Sequence, residues 1–256
     1  MYNFLSNLLE DKKGGEVFTC FGIYHIIYIV VFLTALFGLI YFLRNKSKEM
    51  RQRVINIVIT VAFCTYIADF FLMPFAYGYI DVDKLPFHAC TSMSIMCFWA
   101  RHNKFIGKYK LSFTLVGLIS NIIYFVYPMG VASYEIHPFS YRAVQTLFFH
   151  GIMMVYAILA LVYDDVKLEW KKCYRELALL GIMAVWAIIG NTCYSGTKGD
   201  YSHSFNWFFV DSDPFGLLPE SISPYIMPFV TVASFFGMNM IIYLIYFGIK
   251  KLNKKK

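Results

Sequence analysis

Long apolar runs recur along this chain, separated by short loops dense in lysine and arginine, and that alternation leaves few folds open. A helix rising 1.5 Å per residue needs about 20 apolar residues to cross a hydrocarbon core of ~30 Å. Residues 19–43, 54–79, 111–128, 140–163, 173–194 and 225–249 meet this requirement. A shorter run, 85–100, lies third in order and predicts a seventh span of about 24 Å, which needs a thinned bilayer or shelter among its neighbours. Charged residues make up 15% of the chain and hydrophobic ones 59%. A soluble domain carries about 25% charged residues. The expected fold class is therefore all-α: a polytopic transmembrane bundle of seven spans.

The basic residues set the expected orientation. Loop 44–53 carries five Lys or Arg, loop 101–110 four, stretch 167–175 four and the tail 250–256 five. The alternate side holds Lys12, Lys13, Lys84, Arg142 and Lys198, so the division of the 23 basic residues is eighteen against five. Cytoplasmic loops carry the excess of Lys and Arg. The amino terminus is thus expected outside and the carboxyl terminus in the cytoplasm, in a multi-pass protein of the cell membrane. Residues 1–18, with Glu10, Asp11 and Glu16, read as a short extracytoplasmic segment rather than a signal peptide. Residues 19–249 form the membrane domain, with an outer loop at 195–224, and 250–256 form a basic cytoplasmic tail. The net charge of +7 sits in the loops, where anionic lipid headgroups are the natural partner. No patch has nucleic-acid geometry. The six cysteines make no CxxC pair, although Cys20, Cys90 and Cys193 fall near outer helix ends, where a disulfide is possible.

Ionisable groups at membrane depth are costly and usually face a bundle interior or a cavity. Here they are His25, Asp69, His88 and His150, accompanied by Asn121, Asn191, Asn239 and the thiol of Cys90. All but Asn239 fall in the outer half of the predicted spans. Their convergence on one layer predicts a sheltered polar chamber near the extracytoplasmic surface. Cysteines 64, 97 and 173 read as packing residues.

The segment Leu85-Pro86-Phe87-His88-Ala89-Cys90 carries the most chemistry. Pro86 suits the first helical position. Cys90 then sits in the first turn, beside unpaired backbone N–H groups, a setting in which cysteines act as nucleophiles. His88, two positions away, points elsewhere on a regular helix, so His150 is the better base for Cys90, with Asp69 or an Asn orienting it. Three functional readings follow. The first is an enzyme that transfers or hydrolyses lipid acyl groups through Cys90, His150 and His88, without a cofactor. The alternative is a transporter or solute-binding protein using the same polar layer as its vestibule. The third is hydrolysis at a zinc held by His25, His88, His150 and Asp69.

The chain resembles the YwaF-type bacterial multi-pass membrane proteins, which are distantly related to eukaryotic TMEM-class cysteine acyltransferases that remodel ether phospholipids. The resemblance rests on Phe21-Gly22-Ile23-Tyr24-His25, Leu85-Pro86-Phe87-His88-Ala89-Cys90, Phe148-Phe149-His150-Gly151, and Asn206-Trp207-Phe208-Phe209 followed by Asp213-Pro214. It covers residues from about 19 to 249. Two positions depart from the pattern: Asp69 stands where a Glu is expected, and Thr91 where an Asp is frequent. The resemblance implies acyl transfer or lipid hydrolysis centred on Cys90 with His150 as its partner. Membrane lipids are the expected partners. Asn206 and Trp207 join His25, Asp69, Asn121 and Asn191 as residues that bind or orient the substrate.

Overall fold

The structure, a computed structural model, describes residues 15–77, 82–133, 135–163, 168–194 and 205–253. Residues 1–14 of the expected amino-terminal segment, 195–204 of the outer loop and 254–256 of the tail lie outside them, as does the end of the second apolar run. Seven helices carry the fold: α1 (Ile23–Leu43), α2 (Lys48–Tyr77), α3 (Ala89–His102), α4 (Lys110–Val126), α5 (Tyr141–Tyr163), α6 (Tyr174–Tyr194) and α7 (Ser223–Asn253). A single helical turn, Met129–Ala132, and four short 3-10 turns join them. No strand occurs among the described residues.

Helix starts follow ordinary capping chemistry. The Met50 N–H donates to Ser47 Oγ ahead of α2, and the Ala143 N–H donates to Ser140 Oγ ahead of α5. α7 opens on Ser223-Pro224, where a missing N–H costs nothing. After α3, Asn103 Oδ1 accepts the N–H groups of Phe105 and Ile106 and turns the chain toward α4.

Among the described residues, six helices are long and apolar enough to cross a membrane. α3 is not among them. It has 14 residues, about 21 Å of helix, and starts four residues later than the sequence suggests. Pro86 and Phe87 lie before the helix, and His88, in extended backbone, is its N-cap. Pro86 is therefore not the first helical residue. The short helix is sheltered instead: Met93, Ser94 and Cys97 are buried where α3 packs on α2 and α4.

α4 and α5 form the centre of the bundle, packed on each other, with α2 and α3 closing around them. α1 leans on α5, while α6 and α7 pair with each other and with α4. Side chains tie alternate loops together at each end. At the basic end, the Arg51 guanidinium donates to the Leu43 carbonyl and covers the Tyr163 ring, and the Tyr163 hydroxyl donates to the Ile40 carbonyl. Arg101 reaches Asn56 and Gln52 of α2 there, at 2.7 and 2.5 Å. His88, Asp69 and the Asn206–Phe209 segment lie at the other end, called here the His88 end. All six cysteines are free thiols, so the possible disulfide among Cys20, Cys90 and Cys193 is not formed.

An aromatic ladder fixes the approach to α3. Trp186, Phe87, Trp207 and Phe205 stack in succession at centroid spacings of 4.8, 4.8 and 4.3 Å. The Trp186 Nε1–H and the Ser92 hydroxyl both donate to the Pro86 carbonyl, at 2.7 and 2.6 Å. Gly190 makes the ladder possible, because a Cβ there would lie 2.5 Å from the Phe87 ring. Gly190→Val should therefore destabilise the protein by about 1–3 kcal/mol through overpacking. Gly38→Val, where a Cβ meets nothing within 4 Å, serves as the control. Thermal unfolding in detergent checks this, and equal melting of the two variants would contradict it.

Candidate functional site

At the His88 end, the 3-10 turn Val82–Lys84 carries Lys84 into a ring of buried partners. The Lys84 ammonium sits 3.1 Å from Asp69 Oδ2, and the Tyr141 hydroxyl donates to Asp69 Oδ1 at 2.6 Å. The Tyr66 hydroxyl donates to the Lys84 carbonyl at 2.8 Å. Asp69 is thus paired across α2, the 3-10 turn and α5. A buried carboxylate persists only when its charge and lone pairs are met in this way.

Lys84 is the common neighbour of the chemistry-bearing residues, since its charge acts on both Cys90 and His150. His88 also acts on His150, and Cys90 and Asp69 act on Tyr66. The Tyr66 ring lies 6.0 Å from Phe149, the residue before His150. Lys84 thus lies within electrostatic range of Cys90 and His150, while no hydrogen bond joins Cys90 to His150 or to His88 among the described residues. Cys90 is the second residue of α3, beside the backbone N–H groups of its first turn. Those amides belong to the set that every helix leaves unpaired at its start.

The two histidines are held in opposite ways. His150 is buried on α5 and donates from Nδ1–H to the Thr146 carbonyl at 2.8 Å. In the neutral ring this leaves the lone pair on Nε2, which is buried and has no partner among the described residues. The ring stacks on Tyr124 at 4.0 Å and meets Phe149 edge-on. His88 Nδ1 instead accepts the Phe208 N–H at 3.3 Å, which places the proton of the neutral ring on Nε2. Phe208 and Phe209 adopt φ of 56° and 53° to deliver that amide. Each such residue costs roughly 1–2 kcal/mol. Strain of this kind persists where surrounding structure over-determines it.

Surrounding structure here includes three of the expected orienting residues. Asn206 Oδ1 accepts the N–H groups of Asp211 and Ser212, and its amide donates to the Ser212 carbonyl. Asn191 Oδ1 accepts the Trp207 N–H at 2.9 Å, and Trp207 is buried in the aromatic ladder. Nearby, three backbone amides, those of Phe215, Leu217 and Leu218, hold the Asp213 carboxyl below the usual range. Asn191, Asn206 and Trp207 thus build the segment that reaches His88.

His25 stands apart. Its Nδ1 accepts the Phe21 N–H and its Nε2–H donates to the Phe125 carbonyl, both at 2.9 Å, so the ring is a saturated latch between α1 and α4. Asn121 donates to the Gly117 carbonyl of its own helix, while its Oδ1 is buried without a partner among the described residues. The zinc set is not assembled: His25 is fully engaged, and no three His, Cys, Asp or Glu side chains converge among the described residues. His150 is oriented by the carbonyl one turn earlier rather than by Asp69 or an Asn, because that acceptor is the nearest to a helical His Nδ1.

Sequence reasoning missed Lys84, Tyr66, Tyr141, Tyr124 and Glu176. The structure buries Glu176 in α6, where it accepts the Ser112 and Tyr243 hydroxyls at 2.8 and 3.2 Å. Helical register could have found it: Glu176, Leu180, Met183, Ala187 and Asn191 recur every three or four residues and form the buried stripe of α6.

This arrangement is that of a multi-pass helical membrane protein with a polar neighbourhood gathered at one end of its bundle. The chain belongs to the TMEM164 family, which it matches over residues 20–249. No curated protein and no solved structure matches it.

The Asp69–Lys84 pair should behave as a unit. Asp69→Asn leaves a largely buried ammonium without its counter-charge and should cost about 3 kcal/mol or more of unfolding free energy, whereas Asp69→Asn combined with Lys84→Met should recover most of that loss. Thermal melting of the single and double variants measures this; additive losses would contradict the pairing.

Proposed function

We propose that this protein is a membrane-embedded cysteine acyltransferase acting on phospholipids, with Cys90 as nucleophile, His150 as base and His88 as hydrogen-bond donor. The observation that carries this reading is the bare, buried Nε2 of His150 within the neighbourhood of Lys84 and His88, with Cys90 on the first turn of α3. A buried acceptor without a partner is costly in a purely structural role, and a substrate proton or thiol proton supplies what it lacks. The likeness to YwaF-type proteins and to TMEM-class cysteine acyltransferases points the same way.

The reaction runs in two balanced steps. The Cys90 thiol gives its proton to His150 Nε2 as sulfur attacks the carbonyl carbon of a phospholipid ester. The ester C–O bond breaks, the leaving alcohol takes the proton from His150, and an acyl thioester remains on Cys90. An incoming hydroxyl, from a lysophospholipid or from water, then gives its proton to His150 and attacks the thioester. The C–S bond breaks and the proton returns to Cys90. Negative charge on the tetrahedral oxygen is met by the amides of Cys90 and Thr91 and by His88 Nε2–H, each donor of the oxyanion-hole type worth several kcal/mol to the transition state.

In this reading α3 is a seventh, sheltered pass through the cell membrane. The His88 end faces outward, the basic loops and carboxyl terminus face the cytoplasm, and the substrate enters from the outer leaflet. Incubation of purified protein with a radiolabelled diacyl phospholipid should leave an acyl group on Cys90, released by hydroxylamine. Cys90→Ala should abolish the adduct and the transfer, and His150→Gln should slow transfer by about a hundredfold or more, the scale of a positioned base. Full transfer by Cys90→Ala would eliminate the thioester.

A further inference from the structure

An apolar groove of about 420 Å³ runs between α1 and α5. Ile27, Val31 and Ala35 form one wall and Val144 and Phe148 the other. We propose that this groove holds one acyl chain of the phospholipid, with its ester end toward the His88 end of the bundle. The proposal rests on the acyl-transfer reading for its chemistry, although the binding it describes can be measured without turnover.

Shape selects the occupant. The groove residues of α1, from Tyr24 to Ala35, cover about 16 Å of helix, close to half the ~30 Å hydrocarbon core. Its 420 Å³ spread over about 16 Å gives a mean cross-section of about 26 Å². That is a narrow groove open along one side, where Ile27, Val31, Val144 and Phe148 are exposed, and it suits a single polymethylene chain lying against the bundle. A helix, 10–12 Å across with its side chains, does not fit.

The ends of the groove orient the chain. At its mouth the Tyr24 hydroxyl donates to the Glu16 carboxylate, and the Tyr28 hydroxyl donates to the Pro138 carbonyl at 3.1 Å. Tyrosine rings with their hydroxyls toward water mark the interfacial level of a membrane protein. A ligand seated there has a polar group at the Tyr24 and Tyr28 level and hydrocarbon alongside Val31 and Ala35.

The inner wall leads toward His150. Phe32 packs edge-on against Phe125 and Phe148, at 5.4 and 5.9 Å, and its ring covers Gly151. A Cβ at residue 151 would lie 2.7 Å from that ring, so only glycine admits Phe32 there. Phe148 lines the groove and His150, two residues on, lies on the other side of α5, with the side-chain-free surface of Gly151 between the groove and the histidine. Phe32 over Gly151 therefore closes the groove on the side of His150.

The test uses Cys90→Ala protein in phosphatidylcholine nanodiscs containing a trace of phosphatidylcholine with a photoreactive diazirine acyl chain. After irradiation, labelled peptides are mapped by mass spectrometry, with the exposed α7 residue Phe229 reporting ordinary lipid contact. Groove peptides should be labelled in excess of the Phe229 peptide. Ala35→Trp should reduce groove labelling about tenfold, the effect of excluding about two methylenes, and leave Phe229 labelling unchanged. If Ala35→Trp melts early, Val31→Trp, also on the exposed face, replaces it. Groove labelling equal to that of Phe229 and insensitive to both tryptophans would mean surrounding lipid only. Crosslinks between two copies through the groove would also overturn the proposal. Labelling in Cys90→Ala is independent of thioester chemistry, so a failed groove and a failed acyltransferase give different results.

Discussion

A polar side chain in hydrocarbon has no solvent to fall back on, and each such group in this protein must find its partner within the bundle. That constraint explains most of the His88 end. Asp69 is met by Lys84 and Tyr141, His25 by two backbone groups, and Asn191 by the amide of Trp207. The α3 helix, too short to cross a full core alone, depends on the same enclosure. Its neighbours α2 and α4 bury the serine and threonine hydroxyls that would otherwise face lipid, and those hydroxyls bond back to their own helix, as with Thr91 to the His88 carbonyl and Ser94 to the Thr91 carbonyl.

Among the described residues a few buried polar atoms, such as Asn121 Oδ1 and both side-chain polar atoms of Asn239, lack a partner, and His150 Nε2 is the one of them on an imidazole. One ring nitrogen is used up by its own helix and the other is buried and bare. His88 shows the complementary arrangement, with Nδ1 committed to the Phe208 amide. One imidazole thus offers a lone pair and the other a proton. Considerable structure is spent on this contrast: two residues in left-handed backbone, an asparagine-stapled turn and a four-ring aromatic ladder all converge on the segment that reaches His88.

The membrane class was legible because it depends on sums over twenty residues, and summed apolarity survives local detail. Partnerships were not. His25 and His150 look equivalent along the chain, yet one ring hydrogen-bonds to the Phe125 carbonyl a hundred residues away and the other hydrogen-bonds only within its own helix. Lys84 read as a loop charge because its ion pair depends on how a 3-10 turn folds back against α2. Glu176 was hidden by its basic neighbours, although its place on the buried stripe of α6 followed from helical register. The start of α3 moved because Phe87 is drawn into the aromatic ladder and pulls Pro86 out of the helix.

The protonation of the His150 ring decides whether this neighbourhood can accept a proton. Side-chain ¹⁵N shifts of histidine-labelled protein in lipid nanodiscs, with His150 assigned by its loss in His150→Gln, report each nitrogen separately. At neutral pH Nδ1 should carry the proton and Nε2 should show the shift of an unprotonated ring nitrogen. A proton on Nε2, alone or with one on Nδ1, would contradict the proposed base and leave Cys90 without its acceptor.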